Sequence, residues 1–167
     1  MKIRSLGVTD TDRVHELLTE AFGRSDEARL LHRLRSSGGG GLSLLAEVEG
    51  QVAGLIHFSA ITLPGCDPLS LLALAPLAVD SRWRRRGLGG RLVEEGLVAC
   101  RTAGFGAVFV LGDPAYYGRF GFLPTREFGI DSPFDAPAEF YRVLELVPGH
   151  LGGASGTVVY PAAFDGL

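Results

Sequence analysis

The segment from residue 71 to residue 92 constrains the fold of this chain more than any other part of the sequence. It reads LLALAPLAVDSRWRRRGLGGRL, in which an apolar stretch ends at Asp80, a short basic turn follows, and an amphipathic helix then begins. A strand that leads straight into a helix is the first half of a β–α–β unit. The sequence therefore predicts a mixed α/β domain with this unit at its centre.

Glycines mark the start of the predicted helix. Gly87 and Gly89 let a ligand approach the backbone without a Cβ in the way, and free N–H groups at a helix N-terminus form a concave site for anions. Arginine side chains add positive charge to the same turn. The sequence therefore predicts a pyrophosphate site, with a solvated basic turn before an ordinary helix as the alternative interpretation. The residues assigned to this site are Arg84, Arg85, Arg86, Gly87, Leu88, Gly89 and Gly90.

Two other nucleotide-binding motifs do not fit this turn. A P-loop requires Gly-Lys-Ser or Gly-Lys-Thr, and the dinucleotide fingerprint requires G-x-G-x-x-G, whereas the turn reads GLGG. The chain carries 16 basic and 19 acidic residues and a net charge of −3. An acidic chain with one short basic turn is not typical of a protein that binds nucleic acid or an anionic membrane.

Pro76 interrupts the apolar stretch that otherwise predicts a central strand. Proline removes a hydrogen-bond donor from a sheet, so a β-bulge at Ala75-Pro76 is expected, and a bulge leaves nearby backbone groups unpaired. We therefore predict that a linear part of the ligand pairs with the strand beyond the bulge, at Leu77, Ala78 and Val79.

Length and composition favour one cytoplasmic domain. With 167 residues the chain is long enough for a substantial core, and we expect a single domain over residues 1–167. Cys66 and Cys100 have neither the number nor the spacing of a disulfide framework or a zinc site, so free thiols and no metal are expected. The sequence shows no apolar signal region and no run of transmembrane length.

Hydrophobic periodicity and turn residues outline the other elements. We predict helices over residues 10–22, 26–35, 87–103 and 114–120, with Thr9 or Asp10 as the first N-cap. Strands are predicted over residues 1–6, 42–48, 51–63, 69–79 and 107–111, with two more over 141–147 and 157–160. Breaks in regular structure are predicted at Gly38–Gly41 and at the loop Pro64–Pro68.

Two motifs stand in a fixed order in the central part of the chain. The first is Arg84-Arg85-Arg86-Gly87-Leu88-Gly89 after a strand, and the second is Tyr117-Gly-Arg-Phe-Gly121-Phe122. One predicted helix and one predicted strand separate them. In this order they resemble the acyl-CoA motif Arg/Gln-x-x-Gly-x-Gly/Ala and the tyrosine before Gly-Phe of the GNAT superfamily of N-acetyltransferases.

The resemblance covers nearly the whole chain. The segments LGDPAYYGRFGF and LELVPGHLGGASGTVVYPAAF are similar to sequences of a poorly characterised bacterial branch of acetyltransferases. The family implies a mixed, mostly antiparallel sheet flanked by helices. It also implies a bulged central strand and a splayed β–α–β cleft that holds acyl-CoA.

The resemblance further implies direct transfer of an acetyl group from acetyl-CoA to an amine of a small molecule or peptide. Backbone amides of residues 84–90 would hold the CoA pyrophosphate, residues 77–79 would pair with the pantetheine arm, and an N–H near Ala78 or Val79 would polarise the thioester carbonyl. Tyr117 would protonate the departing thiolate, with aromatic packing beside Phe120 and Phe122 as the alternative interpretation. Tyr116 is the weaker candidate for this role, because one residue along a helix turns the side chain by about 100°. The protein is expected to be a monomer or a homodimer.

The sequence departs from the family pattern at two places. Many members carry an asparagine that contacts the CoA arm, and Val110 stands at that position here. Asp113 is interpreted most simply as a helix N-cap with Pro114 at the first helical position, and it is also a candidate substitute for the missing asparagine.

The general base is left open by the sequence. The central strand contains no acidic residue, so Glu47, Glu49 and His57 are the candidates, with a structural role as the alternative for each. A water chain, or an amine of low pKa, would remove the need for a base. A catalytically weak sensor or scaffold that binds acyl-CoA is the alternative function, and transfer to a hydroxyl or of a longer acyl group is a third.

Overall fold

The computed structural model describes residues 1–38, 41–66 and 68–165. Gly39 and Gly40 of the predicted glycine break, and Asp67 of the predicted loop Pro64–Pro68, lie outside these ranges. Over the described ranges, none of the helices combines the length and the apolar character needed to cross a bilayer.

The helices and central strands lie where the sequence predicts them. The helices are α1 (Thr11–Phe22), α2 (Asp26–Ser36), α3 (Leu88–Thr102) and α4 (Pro114–Gly118). The strands are β1 (Lys2–Ser5), β2 (Leu42–Val48), β3 (Gln51–Ile61), β4 (Leu71–Val79), β5 (Ala107–Leu111), β6 (Leu123–Pro124), β7 (Ile130–Asp131), β8 (Tyr141–Glu145) and β9 (Gly156–Thr157). Several predicted bounds need correction by two residues: α4 ends at Gly118, β3 at Ile61 and β8 at Glu145, and β4 begins at Leu71. The last strand, predicted over residues 157–160, is the two-residue strand Gly156–Thr157. The two-residue strands β6 and β7 were not predicted.

Within the described residues, one mixed sheet of seven strands organises the molecule. Its order is β1-β2-β3-β4-β5-β8-β6, in which only β4 and β5 run parallel. β7 and β9 form a separate parallel pair. The predicted fold class, a mixed and mostly antiparallel sheet flanked by helices, is therefore confirmed.

The two parallel strands separate after a short stretch of pairing. β4 pairs with β5 at Leu71↔Ala107, Leu72↔Val108 and Ala73↔Phe109, and no pairing follows within the described chain. β4 nevertheless continues to Val79, held on its other side by β3. We call the space between Leu74–Val79 of β4 and Val110–Leu111 of β5 the β4–β5 gap. It confirms the predicted splayed cleft.

The predicted bulge lies in β4 beside this gap. The register with β3 shifts between Ile56↔Leu77 and Phe58↔Leu74, so that His57 faces two residues, Ala75 and Pro76. Proline has no N–H to contribute to a ladder, and the bulge removes the need for one.

Helices cover both faces of the sheet. Successive residues of a strand point to opposite faces, and in β3 Ile56 faces α3 while Leu55 faces α1 and α2. In β4 the bulge interrupts the alternation, so Leu72 faces α3 but Ala78, six residues farther on, faces α1 and α2. Farther along that second face, Phe109 and Tyr141 pack against the C-terminal segment.

Helix α3 approaches the sheet closely at Gly96. A Cβ at this position would lie 2.7 Å from Cε2 and Cζ of Phe58, a distance at which one of the two groups must move. We expect Gly96→Ala to lower the free energy of unfolding by about 1–2 kcal/mol, because overpacking of about 1–3 kcal/mol exceeds the helix propensity that alanine adds. Chemical denaturation measures the loss. Phe58→Leu in the same background should recover part of it, and an unchanged or higher stability of Gly96→Ala would contradict this packing.

The carboxylate of Asp10 joins β1 to the start of α1. Asp10 is the N-cap residue, as predicted, but its side chain does not bond to a helix N–H. It accepts instead from the N–H of Gly7 at 2.8 Å and from both Nη atoms of Arg4 at 2.8 Å. The hydrogen bonds from Arg4 hold the pKa of Asp10 at about 2, below its ordinary value of 3.8.

This lowered pKa predicts a pH-dependent contribution to stability. A carboxylate whose pKa falls on folding stabilises the protein above its unfolded pKa, and that stabilisation disappears as the pH drops through the folded pKa. We expect Asp10→Asn to cost about 1 kcal/mol at neutral pH. The difference from wild type should shrink as the pH falls from about 4 to about 2. Denaturation curves at a series of pH values measure it, and a difference that is constant with pH would refute the ionic role.

Candidate active site

Backbone groups of β4 face the β4–β5 gap. The N–H of Asp80 donates to the carbonyl oxygen of Ala53 on β3 at 2.8 Å. Backbone groups of an antiparallel strand point alternately toward and away from the partner, so Ala78 is directed at β3, while Leu77 and Val79 are directed at the gap. The family resemblance implied that an N–H near Ala78 or Val79 donates to the thioester carbonyl. The N–H of Val79 faces the gap, and the N–H of Ala78 does not.

The glycine turn leaves three N–H groups free at the end of β4. The first hydrogen bond of α3 is donated by Arg91 to the carbonyl oxygen of Gly87 at 3.0 Å. The N–H groups of Leu88, Gly89 and Gly90 precede it and have no acceptor within the described parts of the chain. The backbone of Gly87 is left-handed, with φ of 81°, a conformation that favours glycine. The Leu88 side chain is buried in the core, so only its backbone is available to a ligand.

The three arginines of the turn are exposed but differ in their contacts. Arg84 donates from Nε to the carbonyl oxygen of Val79 at 3.0 Å. The Arg86 guanidinium lies 5.2 Å from the centre of the Trp83 ring, a cation–π distance. Arg85 has a left-handed backbone, with φ of 60°. The turn is thus positively charged at its surface.

A buried carboxylate that the sequence did not single out fixes the shape of this turn. Asp80, only 4% exposed, accepts from the N–H of Arg82 at 2.9 Å and from Nη2 of Arg13 at 2.6 Å. Hydrogen bonds from Arg82 hold the pKa of Asp80 well below its usual range. The carboxylate therefore stays ionised and ties the turn to α1. Its position directly after a strand is the signal that could have identified it.

Tyr117 lies across the gap, at the carboxyl end of β5. Its ring packs on Gly112, where a Cβ would lie 2.9 Å from Cδ2, and it meets Phe122 edge-on with a centroid distance of 5.7 Å. Asp113 caps α4 by accepting from the N–H of Ala115 at 3.2 Å, in agreement with its interpretation as an N-cap. Burial raises the pKa of the Tyr117 hydroxyl above its ordinary value of 10, so the hydroxyl is protonated at neutral pH, as an unperturbed phenol also is.

Helix α4 also brings Tyr116 to the glycine turn. The Tyr116 hydroxyl lies 2.9 Å from where a Cβ of Gly89 would be, so it lies beside the first turn of α3. Arg119 stacks on the Tyr116 ring at 4.6 Å and comes within 4.0 Å of the corresponding position at Gly90. The sequence assigned neither residue to the site. The three-residue spacing of Tyr116 and Arg119 on a helix is the signal that could have paired them.

Each candidate base is either engaged in a contact away from the gap or exposed to solvent. Glu47 forms an ion pair with Arg4, and Glu49 is an exposed residue of the β2–β3 turn. His57 is buried, its Nδ1 lies 2.6 Å from Oγ of Ser43, and burial lowers its pKa to about 4. The contacts of Glu47 and His57 and the exposure of Glu49 agree with the structural interpretation of each residue.

Val110 is buried in the core that faces α3. Across the described ranges, no cluster of three His, Cys, Asp or Glu side chains is placed to hold a metal ion.

The chain is similar to known proteins over nearly its whole length. The acetyltransferase (GNAT) family model matches residues 11–122. The N-acetyltransferase YhbS of Escherichia coli K12, described as uncharacterised, is 38% identical over 157 residues, which is 93% of each chain. YjhQ of the same strain, likewise an uncharacterised N-acetyltransferase, is 40% identical over 135 residues, 78% of this chain and 75% of its own.

Two solved structures share the fold. The E. coli YhbS structure in complex with CoA superposes with a TM-score of 0.92 at 36% identity, covering 98% of this chain and 91% of its own. A GNAT acetyltransferase from Brucella melitensis in complex with acetyl-CoA gives a TM-score of 0.81 at 31% identity, covering 98% of this chain and 97% of its own.

Proposed function

Because the chain belongs to the acetyltransferase (GNAT) family, we propose that it transfers an acetyl group from acetyl-CoA to an amine in the β4–β5 gap. The observation that carries the proposal is the edge of β4 that faces the gap, where the Arg84 side chain meets the carbonyl oxygen of Val79 but no strand pairs within the described residues. After three paired positions with β5 it continues unpaired on that side to Val79, and the glycine N-terminus of α3 follows within ten residues along the chain.

The residues present fit CoA. Its pyrophosphate is an anion, and three free N–H groups at Leu88, Gly89 and Gly90 offer the helix-terminal geometry that binds anions. The surface arginines Arg84, Arg85 and Arg86 add positive charge. The pantetheine arm carries amides, and the backbone of Leu77 and Val79 offers a strand edge for them to pair with. The Tyr116 hydroxyl and the Arg119 guanidinium, which lie beside Gly89 and Gly90, would be additional donors to the pyrophosphate.

The strand edge also provides the electrophilic assistance. Bound acetyl-CoA supplies the acyl group as a thioester, whose carbonyl oxygen gains negative charge when an amine attacks. Leu77 is farther from the glycine turn than Val79 along β4, so we assign this donor to the N–H of Leu77 rather than to the N–H of Val79. A donor of this kind is worth about 3 kcal/mol in the transition state.

Tyr117 would supply the proton that the leaving sulfur needs. A phenol is protonated at neutral pH, and burial raises the pKa of Tyr117 further. Its ring is held by Gly112 and Phe122 at the carboxyl end of β5. The phenol proton passes to the sulfur as the carbon–sulfur bond breaks and the carbon–nitrogen bond forms.

The attacking amine must be neutral to act as a nucleophile. Glu47 and His57 are engaged elsewhere in the structure, and Glu49 is an exposed residue of the β2–β3 turn. We assign none of the three as the general base. We propose instead that the amine loses its proton to water, directly or through a water chain. This favours acceptors, whether small molecules or peptides, whose amine is partly neutral at the working pH.

Binding and turnover test the proposal separately. We expect titration calorimetry to show binding of CoA and acetyl-CoA, and thiol release to rise when an acceptor from a panel of small amines and peptides is added. Absence of CoA binding would refute the site. Binding without thiol release from any amine would favour the sensor or scaffold function. Release that responds to alcohols but not to amines would refute the acceptor class.

A further inference from the structure

Strand β8 carries a buried arginine close to the residues that follow α4. Arg142 is only 9% exposed, and it pairs with Val110, a residue of the core that faces α3. Residues directly opposite each other on paired strands share a face, so Arg142 lies on the same side of the sheet as that core. No carboxylate of the described residues lies within ion-pair distance of it. Burying a cation without a paired carboxylate costs free energy, so the contacts that this arginine makes instead indicate its role.

The Arg142 guanidinium joins two backbone segments. Its Nη2 donates to the carbonyl oxygen of Phe122 at 2.9 Å, and its Nη1 donates to the carbonyl oxygen of Glu139, also at 2.9 Å. Nη2 also lies 3.8 Å from where a Cβ of Gly118 would be, at the last residue of α4. Its Nε has no acceptor in the described parts of the chain. Because a guanidinium is planar and its N–H groups are fixed in direction, these contacts hold the segment after α4 against the segment before β8. We call them the Arg142 clamp.

The two clamped segments carry the two supports of the Tyr117 ring. Phe122 meets the ring edge-on with a centroid distance of 5.7 Å, and its own carbonyl oxygen is the one that Nη2 holds. On the other side the ring packs on Gly112. The N–H of Gly112 donates to the carbonyl oxygen of Phe140 at 2.9 Å, and Phe140 directly follows the second clamped residue. Each support therefore belongs to a clamped residue or is hydrogen-bonded to the neighbour of one.

We propose that Arg142 is a positioning residue for Tyr117, the acid of the proposed reaction, and that the Arg142 clamp holds the phenol hydroxyl where the sulfur leaves. The proposal rests on the proposed function, because Arg142 acts through Tyr117 and its described contacts are to backbone carbonyl oxygens. Proton transfer requires a donor within hydrogen-bond reach of its acceptor, and a displacement of about 1 Å can lower a rate by about 100-fold. The N–H groups that would bind the pyrophosphate belong to α3, so the clamp should govern turnover more than cofactor affinity.

Substitution of Arg142 tests this role. Arg142→Met removes the guanidinium and keeps an unbranched side chain, and we expect kcat with acetyl-CoA and a working amine acceptor to fall by about 10-fold or more. The Kd for acetyl-CoA, measured by calorimetry, should stay within about 3-fold of wild type, because the helix-terminal anion site is unchanged. Arg142→Lys keeps the charge, but an ammonium group cannot reproduce the planar fork, so kcat should fall in this variant as well.

A matched control removes a similar contact at the other end of β8. Arg101 donates from Nε to the carbonyl oxygen of Leu146 at 3.3 Å, just beyond the carboxyl end of the strand and away from Tyr117. Arg101→Met should therefore keep the kcat of wild type. Denaturation curves give the temperature at which every variant is folded, and the kinetics are measured there.

A double variant separates positioning from a general loss of structure. In Tyr117→Phe the acid is already absent, so adding Arg142→Met should lower kcat by no more than about 2-fold further, because two residues that act through one group are not additive. A purely structural role would lower kcat by the same factor in both backgrounds.

Any of three results would overturn the proposal. Wild-type kcat in Arg142→Met or in Arg142→Lys would show that the clamp is not needed. An equal loss in the wild-type and Tyr117→Phe backgrounds would make Arg142 a structural residue only. A loss of acetyl-CoA affinity as large as the loss of kcat would assign Arg142 to cofactor binding instead. Failure of the proposed function is distinguishable from these results, because the wild-type protein would then release no thiol with any amine.

Discussion

Tyr117→Phe is expected to lower kcat by about 100-fold or more, while the Kd for acetyl-CoA stays within about 2-fold of wild type. The substitution removes only the hydroxyl, and the ring contacts with Gly112 and Phe122 remain. Without the phenol proton, the sulfur must leave as an unprotonated thiolate. Thiol-release kinetics with a working acceptor give kcat, and calorimetry gives Kd.

Two further variants separate proton donation from packing. Tyr116→Phe removes a hydroxyl from the same helix, but that hydroxyl lies over Gly89, so it should weaken CoA binding more than it lowers kcat. Gly112→Ala keeps the Tyr117 hydroxyl but displaces the ring that packs on residue 112, so it should lower kcat. Wild-type kcat in Tyr117→Phe would eliminate this tyrosine as the acid.

Gly89→Val is expected to weaken CoA binding by about 100-fold or more, because each hydrogen bond from an N–H to a charged phosphate contributes about 1.5–3 kcal/mol. The valine side chain would stand over the free N–H groups of the α3 N-terminus. Its Cβ would also meet the Tyr116 hydroxyl at 2.9 Å, and α4 would have to move away. Calorimetry with CoA measures the loss, and circular dichroism checks that the fold persists.

A smaller substitution shows which contact causes the loss. Gly89→Ala adds one methyl group, and combining it with Tyr116→Phe removes the hydroxyl that the methyl meets. If the methyl acts through Tyr116, the double variant should bind CoA no more weakly than Tyr116→Phe. Val98→Ala changes an exposed side chain farther along α3 and serves as the control for that helix. CoA binding by Gly89→Val at wild-type affinity would show that the pyrophosphate lies elsewhere.

Local sequence signals were sufficient to predict the elements that form the β4–β5 gap. The α3 helix begins after Gly87, which adopts the left-handed backbone, and Pro76 marked the bulge because a missing N–H is incompatible with a regular ladder. β6 and β7 escaped prediction because two residues carry no periodicity, and both strands exist only through pairing with β8 and β9. Tertiary contact, rather than propensity, decides such elements.

The backbone groups of the candidate site could be predicted from the sequence, because glycines and a strand edge indicate backbone geometry directly. The side chains of Tyr116 and Arg119 could not be placed, because their position depends on how α4 docks against α3. The role of Ala78 also required the register, since one residue along a strand reverses the direction of the backbone groups.

The brief pairing of β4 with β5 has a consequence for the persistence of the folded protein. Within the described residues, three pairs between β4 and β5, with the hydrogen bond from the N–H of Gly106 to the carbonyl oxygen of Ser70 beside them, join the two halves of the sheet. One half contains β1 to β4 and the other contains β5, β8 and β6. A ligand that spans the gap touches both halves, and a ligand that binds only the folded state adds about 2.7 kcal/mol to stability at 100 times its Kd. Resistance to unfolding and proteolysis would then vary with the supply of CoA esters as well as with the sequence.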